Sequence, residues 1–276
     1  MNKIMEYDKT YTFDDLFSWS SSDFCFAVIG NPISHSLSPN IHNYIFQTLA
    51  KTDKKFKKYK YFKFNILPSE LKKSLQLFHD KKFLGINITA PYKNIITNYL
   101  KTNLLSVNTL KYNKNGWDCF STDGIGFIRS LDDAEINFNN KNIILIGAGG
   151  AAYSIGQELL KKNCKNIWIK NRTYKNAKKL IDYLKGLNNK ANINQSHYLT
   201  FKNPIVINTT SLGLKNDDSI PIILDKISKP IFVYDLIYNP AKTKLLKQAA
   251  KLNIKYSNGF PMLINQAIFS SKIWLE

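Results

Sequence analysis

The residues most ready for chemistry are Gly147, Gly149 and Ala152, at the spacing G-x-G-x-x-A directly after the apolar run Ile143-Ile144-Leu145-Ile146. In such a pattern the first glycine makes a tight strand-to-helix turn and the second admits a pyrophosphate to the backbone. The third, small residue lets helix and strand pack closely. The anion then rests on free N–H groups at the helix N-terminus. Asn171-Arg172-Thr173 follows roughly 20 residues on, where an NAD site carries an acidic residue for the ribose hydroxyls. No carboxylate stands there to repel a 2′-phosphate, Arg172 offers a planar fork that matches one, and Lys175 adds a second charge. The segment predicts a dinucleotide site that prefers NADP. Its plainer alternatives are an ordinary strand-to-helix turn and a solvated basic turn.

Further polar groups cluster at the ends of other apolar runs. Ser36 and Ser38 sit two apart in an extended segment and point the same way, able to reach a hydroxylated or carboxylated ligand. Ser38, followed by Pro39, is also a natural helix N-cap. Asn87, Thr89 and Lys93 lie where open α/β sheets collect their ligands, although Lys93 taken alone reads as a surface lysine. Asn108 and Thr109 are carried by another predicted strand, and Asp123 precedes a helix that it could simply cap. Gln266 interrupts the apolar face of the last helix, as a core amide or as a reader of a ligand carboxylate or hydroxyl.

The elements that must position these groups alternate. Strands are predicted over 24–29, 59–64, 85–88, 107–111, 116–120, 142–146, 166–169, 205–207 and 231–236, and helices over 40–50, 68–78, 177–187, 242–251 and 261–274. Alternation from residue 142 onward predicts a doubly wound parallel sheet, and residues 24–123 a separate α/β layer. Residues 1–23 show few periodic apolar positions and read as a tail or loose docking segment.

At 276 residues the chain suits two domains. The net charge of +19 comes almost wholly from lysine, Arg129 and Arg172 being the two arginines among 39 basic residues. Base and phosphate readers favour clustered arginine, so a chain-wide lysine bias argues against nucleic acid as the partner. Cys25, Cys119 and Cys164 are odd in number and scattered, and the histidines are dispersed, so neither a disulfide framework nor a metal site is implied. No run approaches a membrane span and the N-terminal stretch does not resemble a signal peptide, which together suggest a reduced cytoplasmic setting.

Taken together, GNPISHSLSP, NITAPYK, VNTL, TDGIGF, LIGAGGAA, NRT, INTTSLG, YDLIYNPAKT and NGFPMLINQA resemble the shikimate dehydrogenase family in order, from about Phe24 to the C-terminus. The resemblance implies an N-terminal substrate and catalytic domain over 24–123, completed by 259–276. It implies a Rossmann-like NADP domain over 124–258, with the last helix returning to the first domain. It implies reversible reduction of 3-dehydroshikimate to shikimate with NADPH, on the route to chorismate and the aromatic amino acids, by a monomer or homodimer. Carried over by position, Ser36, Ser38, Thr89, Asn108, Tyr238 and Gln266 match substrate contacts, and Lys93 and Asp123 match the catalytic pair. Gly147, Ala148, Gly149, Gly150, Ala151, Asn171, Arg172, Thr173, Lys175 and Gly259 fall on the cofactor side.

The chain also departs from the family pattern. The segment between Lys93 and Asn108 is several residues shorter than usual, with Leu105-Ser106 in place of Gly-Ala before VNT, and Ser121 replaces the Asn before TDG. Asn176 replaces a second basic residue after NRT, leaving Lys175 as the substitute. Residues 1–23 are extra, and the helix usual after Trp274 is missing. Three rival readings remain: a quinate/shikimate dehydrogenase using NAD, a catalytically silent NADP-binding sensor on the same fold, and a basic nucleic-acid binder.

Overall fold

Strand and helix alternate through the chain and build two six-stranded sheets. The computed structural model describes residues 8–195 and 202–276. One unit runs to Thr122 and takes in Gln266–Glu276; the other spans Asp123–Asn265.

In the first unit the strands are β1 (Thr10–Tyr11), β2 (Phe24–Gly30), β3 (Tyr59–Asn65), β4 (Gly85–Ile88), β5 (Thr109–Asn113) and β6 (Gly116–Phe120). Their order is β1-β3-β2-β4-β5-β6, parallel as far as β4 and antiparallel from there. The central run FCFAVIG of β2 is buried beyond its first residue, as a strand covered on both faces requires. Its alternate side chains feed opposite cores. Cys25, Ala27 and Ile29 pack with Phe62, Phe64, Leu75 and Phe78 on the side of α1 (Phe13–Phe17) and α3 (Leu71–Asp80). Phe26 and Val28 pack with Ile33, Phe46, Tyr61 and Trp274 on the side of α2 (Ser38–Leu49). A side chain at Gly85 would meet the Trp274 indole at 2.3 Å, so the glycine is what seats that ring. A short α4 (Ile96–Leu100) completes the unit.

Two expectations are corrected here. Residues 1–7 lie outside the described residues, but from Thr10 onward the expected tail is built into the fold. β1 pairs in parallel with β3, and α1 starts from a capping box between Thr12 and Asp15. Leu16 is fully buried, and Tyr11 and Trp19 pack edge-on at 5.1 Å. Ser38 is not an N-cap: that position is Leu37, without a side-chain cap bond, and Ser38 already belongs to the helix. The Ser36 hydroxyl does the local work instead, accepting from the Ser38 N–H at 3.3 Å.

The second unit contains α5 (Asp123–Asp132), β7 (Asn142–Ile146), α6 (Gly150–Lys161), β8 (Asn166–Lys170), α7 (Tyr174–Leu187) and β9 (Asn192–Asn194). It continues through β10 (Ile205–Asn208), β11 (Phe232–Asp235), α8 (Lys244–Lys251) and β12 (Lys255–Ser257) into α9 (Phe260–Leu275), whose later residues belong to the first unit. All six strands are parallel in the order β12-β11-β10-β7-β8-β9, the doubly wound arrangement expected from the sequence. Ile143 and Leu145 of β7 enter one core and Ile144 and Ile146 the other. The strand order reverses between β7 and β10, where such sheets bind ligands. No helix among the described residues is long and apolar enough to cross a membrane.

Candidate active site

In the second unit the reversal point is stitched by backbone bonds and by one glycine. Gly147 has φ +109°, and a Cβ there would lie 2.4 Å from Thr209 Oγ1, so its conformation and its surroundings both demand glycine. The Thr209 N–H and hydroxyl both donate to the Ile146 carbonyl at 2.8 Å. Gly149 is the N-cap of α6, and no side chain caps this helix. A Cβ at Gly149 would meet nothing within 4 Å. The start of α6 is therefore open at Gly149 and has no side-chain acceptor capping its first turn, an arrangement that fits an anionic pyrophosphate.

A cavity of about 590 Å³ opens there, with Gly147, Ala148 and Gly149 on one side, Asn171, Arg172 and Thr173 on another, and Thr209–Leu212 facing them. Arg172 is exposed on this wall. Among the other expected cofactor residues, Gly150 and Ala151 form the first turn of α6 behind the lining, and Lys175 is exposed and off it. Gly259 is buried and is not part of this lining; a Cβ there would stand 1.9 Å from the Leu236 carbonyl, so close packing requires glycine. Lys170, unassigned by the sequence reading, lines the cavity. Its Nζ donates to the Pro221 carbonyl at 2.8 Å, and burial lowers its pKa. Its signal was a basic residue at the end of an apolar strand.

The segment carrying Tyr238 hangs from a buried carboxylate. Asp235 accepts from Thr243 Oγ1 at 2.6 Å, from Asn208 Nδ2 at 2.9 Å and from the Ile237 N–H at 3.2 Å. Burial raises its pKa against the pull of these three donors. Thr243 also caps α8, so one hydroxyl ties the loop to the next helix. Tyr238 itself is half-buried.

In the first unit a buried polar network fills the carboxyl end of the sheet. Asn87 Nδ2 donates to the Asn108 carbonyl at 2.9 Å and to Thr109 Oγ1 and Ser270 Oγ at 3.1 Å, while its Oδ1 accepts from the Tyr61 hydroxyl at 2.6 Å. Asn108 Nδ2 donates to Thr122 Oγ1 at 2.9 Å and to Gln266 Oε1 at 3.3 Å, and its Oδ1 accepts from the Thr122 N–H at 2.7 Å. Ser36 and Ser38 are buried at the entrance to α2, and burial raises the pKa of Tyr61 far above its ordinary value. His42 stacks on Tyr61 at 4.2 Å, with Nδ1 3.0 Å from Ser271 Oγ and Nε2 without a partner. Burial lowers its pKa to about 3, so the ring is neutral.

The backbone fixes the remaining expected residues. Thr89 donates its N–H to the Ile29 carbonyl at 3.0 Å, which sets it beside the start of the serine loop. Tyr92 is fully buried with its hydroxyl on the Ile66 carbonyl, and the Val107 N–H donates to the Lys93 carbonyl at 2.9 Å. The short segment between Lys93 and Asn108 is thus tied at both ends. Lys93 is half-buried, and Asp123 is buried as the first residue of α5. Tyr61, Thr122, Ser270 and Ser271 were not singled out from the sequence. Ser270 could have been found, because it lies four residues after Gln266 and so on the same helix face.

Comparison with known proteins points one way. A model of the shikimate dehydrogenase substrate binding domain matches residues 28–109, and one of shikimate / quinate 5-dehydrogenase matches residues 130–236. Shikimate dehydrogenase (NADP(+)) of Methanococcus vannielii is 38% identical over 264 residues, covering 90% of this chain and 89% of the relative. A crystal structure of shikimate dehydrogenase in complex with NADP+ superposes with a TM-score of 0.79 at 32% identity, covering 92% of this chain and 91% of the other. That of shikimate 5-dehydrogenase from Listeria monocytogenes, in complex with shikimate and NAD, gives 0.76 at 26% identity, covering 93% of each chain.

Proposed function

We propose, because this chain belongs to the shikimate dehydrogenase family, that it catalyses the reversible reduction of 3-dehydroshikimate to shikimate with NADPH. The observation that carries the reading is the cavity at the β7/β10 reversal, where an uncapped helix N-terminus and Arg172 face one open volume. NADPH supplies the hydride when bound. Gly147, Ala148, Gly149 and the first turn at Gly150 and Ala151 hold its pyrophosphate, and Arg172, flanked by Asn171 and Thr173, takes the 2′-phosphate. Lys175 is a second charge at longer range. Lys170 holds the Pro221 wall of the cavity.

Reduction of a ketone builds negative charge on its oxygen, which an ammonium stabilises and can protonate. Lys93 is assigned that role, because a lysine ammonium is a competent acid and electrostatic clamp for a developing oxyanion. Asp123 orients it. Ser36, Ser38, Thr89, Asn108 and Gln266 contact the substrate, with Tyr238 a further contact. The polar network supports that assignment, since the Asn108 side chain is bonded to both Thr122 and Gln266. On this reading, residues 24–123 with 259–276 carry the substrate and 124–258 the cofactor. The free cysteines Cys25, Cys119 and Cys164 favour a reducing, cytoplasmic setting, for a monomer or homodimer.

A second reading, a quinate/shikimate dehydrogenase using NAD, draws on the description of the matching family and on the NAD in the Listeria structure. Asn171 in place of an acidic ribose ligand argues against it. One spectrophotometric panel separates the two, crossing shikimate and quinate with NADP and NAD. Turnover is expected to be highest for shikimate with NADP; preference for NAD or quinate would favour the second reading, and no turnover with any pair would favour a silent sensor.

A further inference from the structure

Lys63 is a buried cation that the reaction scheme leaves unused. It sits on β3 with 5% of its surface exposed, and its Nζ donates to the Ser34 carbonyl at 2.9 Å. That carbonyl belongs to the loop carrying Ser36 and Ser38. Among the described residues no carboxylate lies within ion-pair distance of the ammonium. An ammonium withdrawn from water without a counter-charge is costly, and an anionic ligand arriving beside it offsets that cost.

The register of the sheet shows what this cation faces. Lys63 pairs with Val28, Val28 with Asn87, and Asn87 with Thr109, so the four form one row across the sheet and project to the same face. Strands lie about 4.8 Å apart, so the ammonium stem begins roughly 10 Å from Asn87, whose partners are all neutral amides, hydroxyls and carbonyls. One end of the row is cationic beneath the serine loop; the other, at Asn87 and Thr109, is held by neutral groups. Shikimate has the same polarity, a carboxylate at one end of the ring and hydroxyls at the other.

We propose that Lys63 is a positioning residue of the substrate site. It pins the serine loop through Ser34, and its charge draws the substrate carboxylate to that loop, beside Ser36 and Ser38. The proposal rests on the shikimate reading above, and it makes Lys63 the determinant of selectivity for an acid over its uncharged ester.

The test uses the full chain, saturating NADP, and two substrates, shikimate and methyl shikimate. Lys63→Met is expected to raise the KM for shikimate at least roughly tenfold, the lower bound for losing an interaction with a charged group. Its kcat and its KM for NADP should stay nearly unchanged, and its KM for methyl shikimate, which reports only the loosened loop, should rise clearly less than that for shikimate. Lys63→Gln keeps a donor for Ser34 without the charge and should lose the acid-over-ester preference too, whereas Lys63→Arg should retain most of it. The ratio of kcat/KM between the two substrates cancels the folded fraction, so partial unfolding of a variant does not disturb it. An unchanged preference in both neutral variants, or an equal loss for both substrates, would overturn the proposal. A wild-type enzyme inactive on shikimate with either cofactor would overturn the underlying reading and the proposal with it.

Discussion

Asn108 and Gln266 stand 158 residues apart in sequence, yet Asn108 Nδ2 donates to Gln266 Oε1 at 3.3 Å. The bond joins the end of the β4–β5 connection to the last helix, and Asn108 bears the larger structural load. Its Oδ1 also accepts the Thr122 N–H at 2.7 Å, next to Asp123 in the chain.

The two residues should therefore separate in mutagenesis. Asn108→Ala leaves a buried N–H without its acceptor and should cost about 1–3 kcal/mol of unfolding free energy as well as raising the KM for shikimate. Gln266→Ala should raise KM with a smaller loss of stability. Urea unfolding alongside steady-state kinetics reads both effects. A Gln266 variant as unstable as the Asn108 variant, with KM unchanged, would make that glutamine a core amide only.

Cofactor choice should rest on Arg172 far more than on Lys175. Arg172→Ala removes the guanidinium on the cavity wall and should weaken NADP by about 1.5–3 kcal/mol while sparing NAD. Lys175 lies off the lining, so Lys175→Ala should shift NADP affinity by less than about threefold. Titrations of both variants with both cofactors measure this. Equal losses of NADP and NAD in Arg172→Ala would remove the 2′-phosphate assignment.

His42 should give the acid limb of the stability profile. Its pKa in the fold is about 3 against an ordinary 6.5, because burial disfavours the charged ring. Between those values the unfolded chain binds a proton that the folded chain does not, so stability is complete above about pH 6.5 and declines as pH falls toward 3. The slope approaches ~1.4 kcal/mol per pH unit for this one group. His42→Phe keeps a ring against Tyr61 and removes the titration. Its unfolding free energy should fall less steeply than wild type from pH 6 to pH 4, and parallel slopes would show that His42 is not the group responsible.

Much of this was legible because it is local. The β7 run, Gly147 and Arg172 announce themselves through periodicity, turn chemistry and charge. What escaped is tertiary. Tyr11, Leu16 and Trp19 are too sparse to show a period, and a two-residue edge strand leaves no pattern, although Thr12-x-x-Asp15 was a readable capping signal. Ser38 followed by Pro39 looked like a cap because the rule sees one hydroxyl and cannot see that Ser36 satisfies the Ser38 N–H. Ser270 and Ser271 vanished into an apolar helix, and their partners Asn87, Thr109, Thr122 and His42 lie more than 140 residues away in sequence.

The most direct measurement is the initial rate of NADP reduction by shikimate for wild type and Lys93→Ala at saturating cofactor. A group that stabilises charge as hydride moves acts on kcat more than on binding. The wild-type chain should turn over, and the variant should lose at least the ~10²-fold typical of a missing general acid, with KM little altered. A Lys93→Ala enzyme whose kcat stays near wild type while only KM rises would contradict the assignment, reducing Lys93 to a substrate contact.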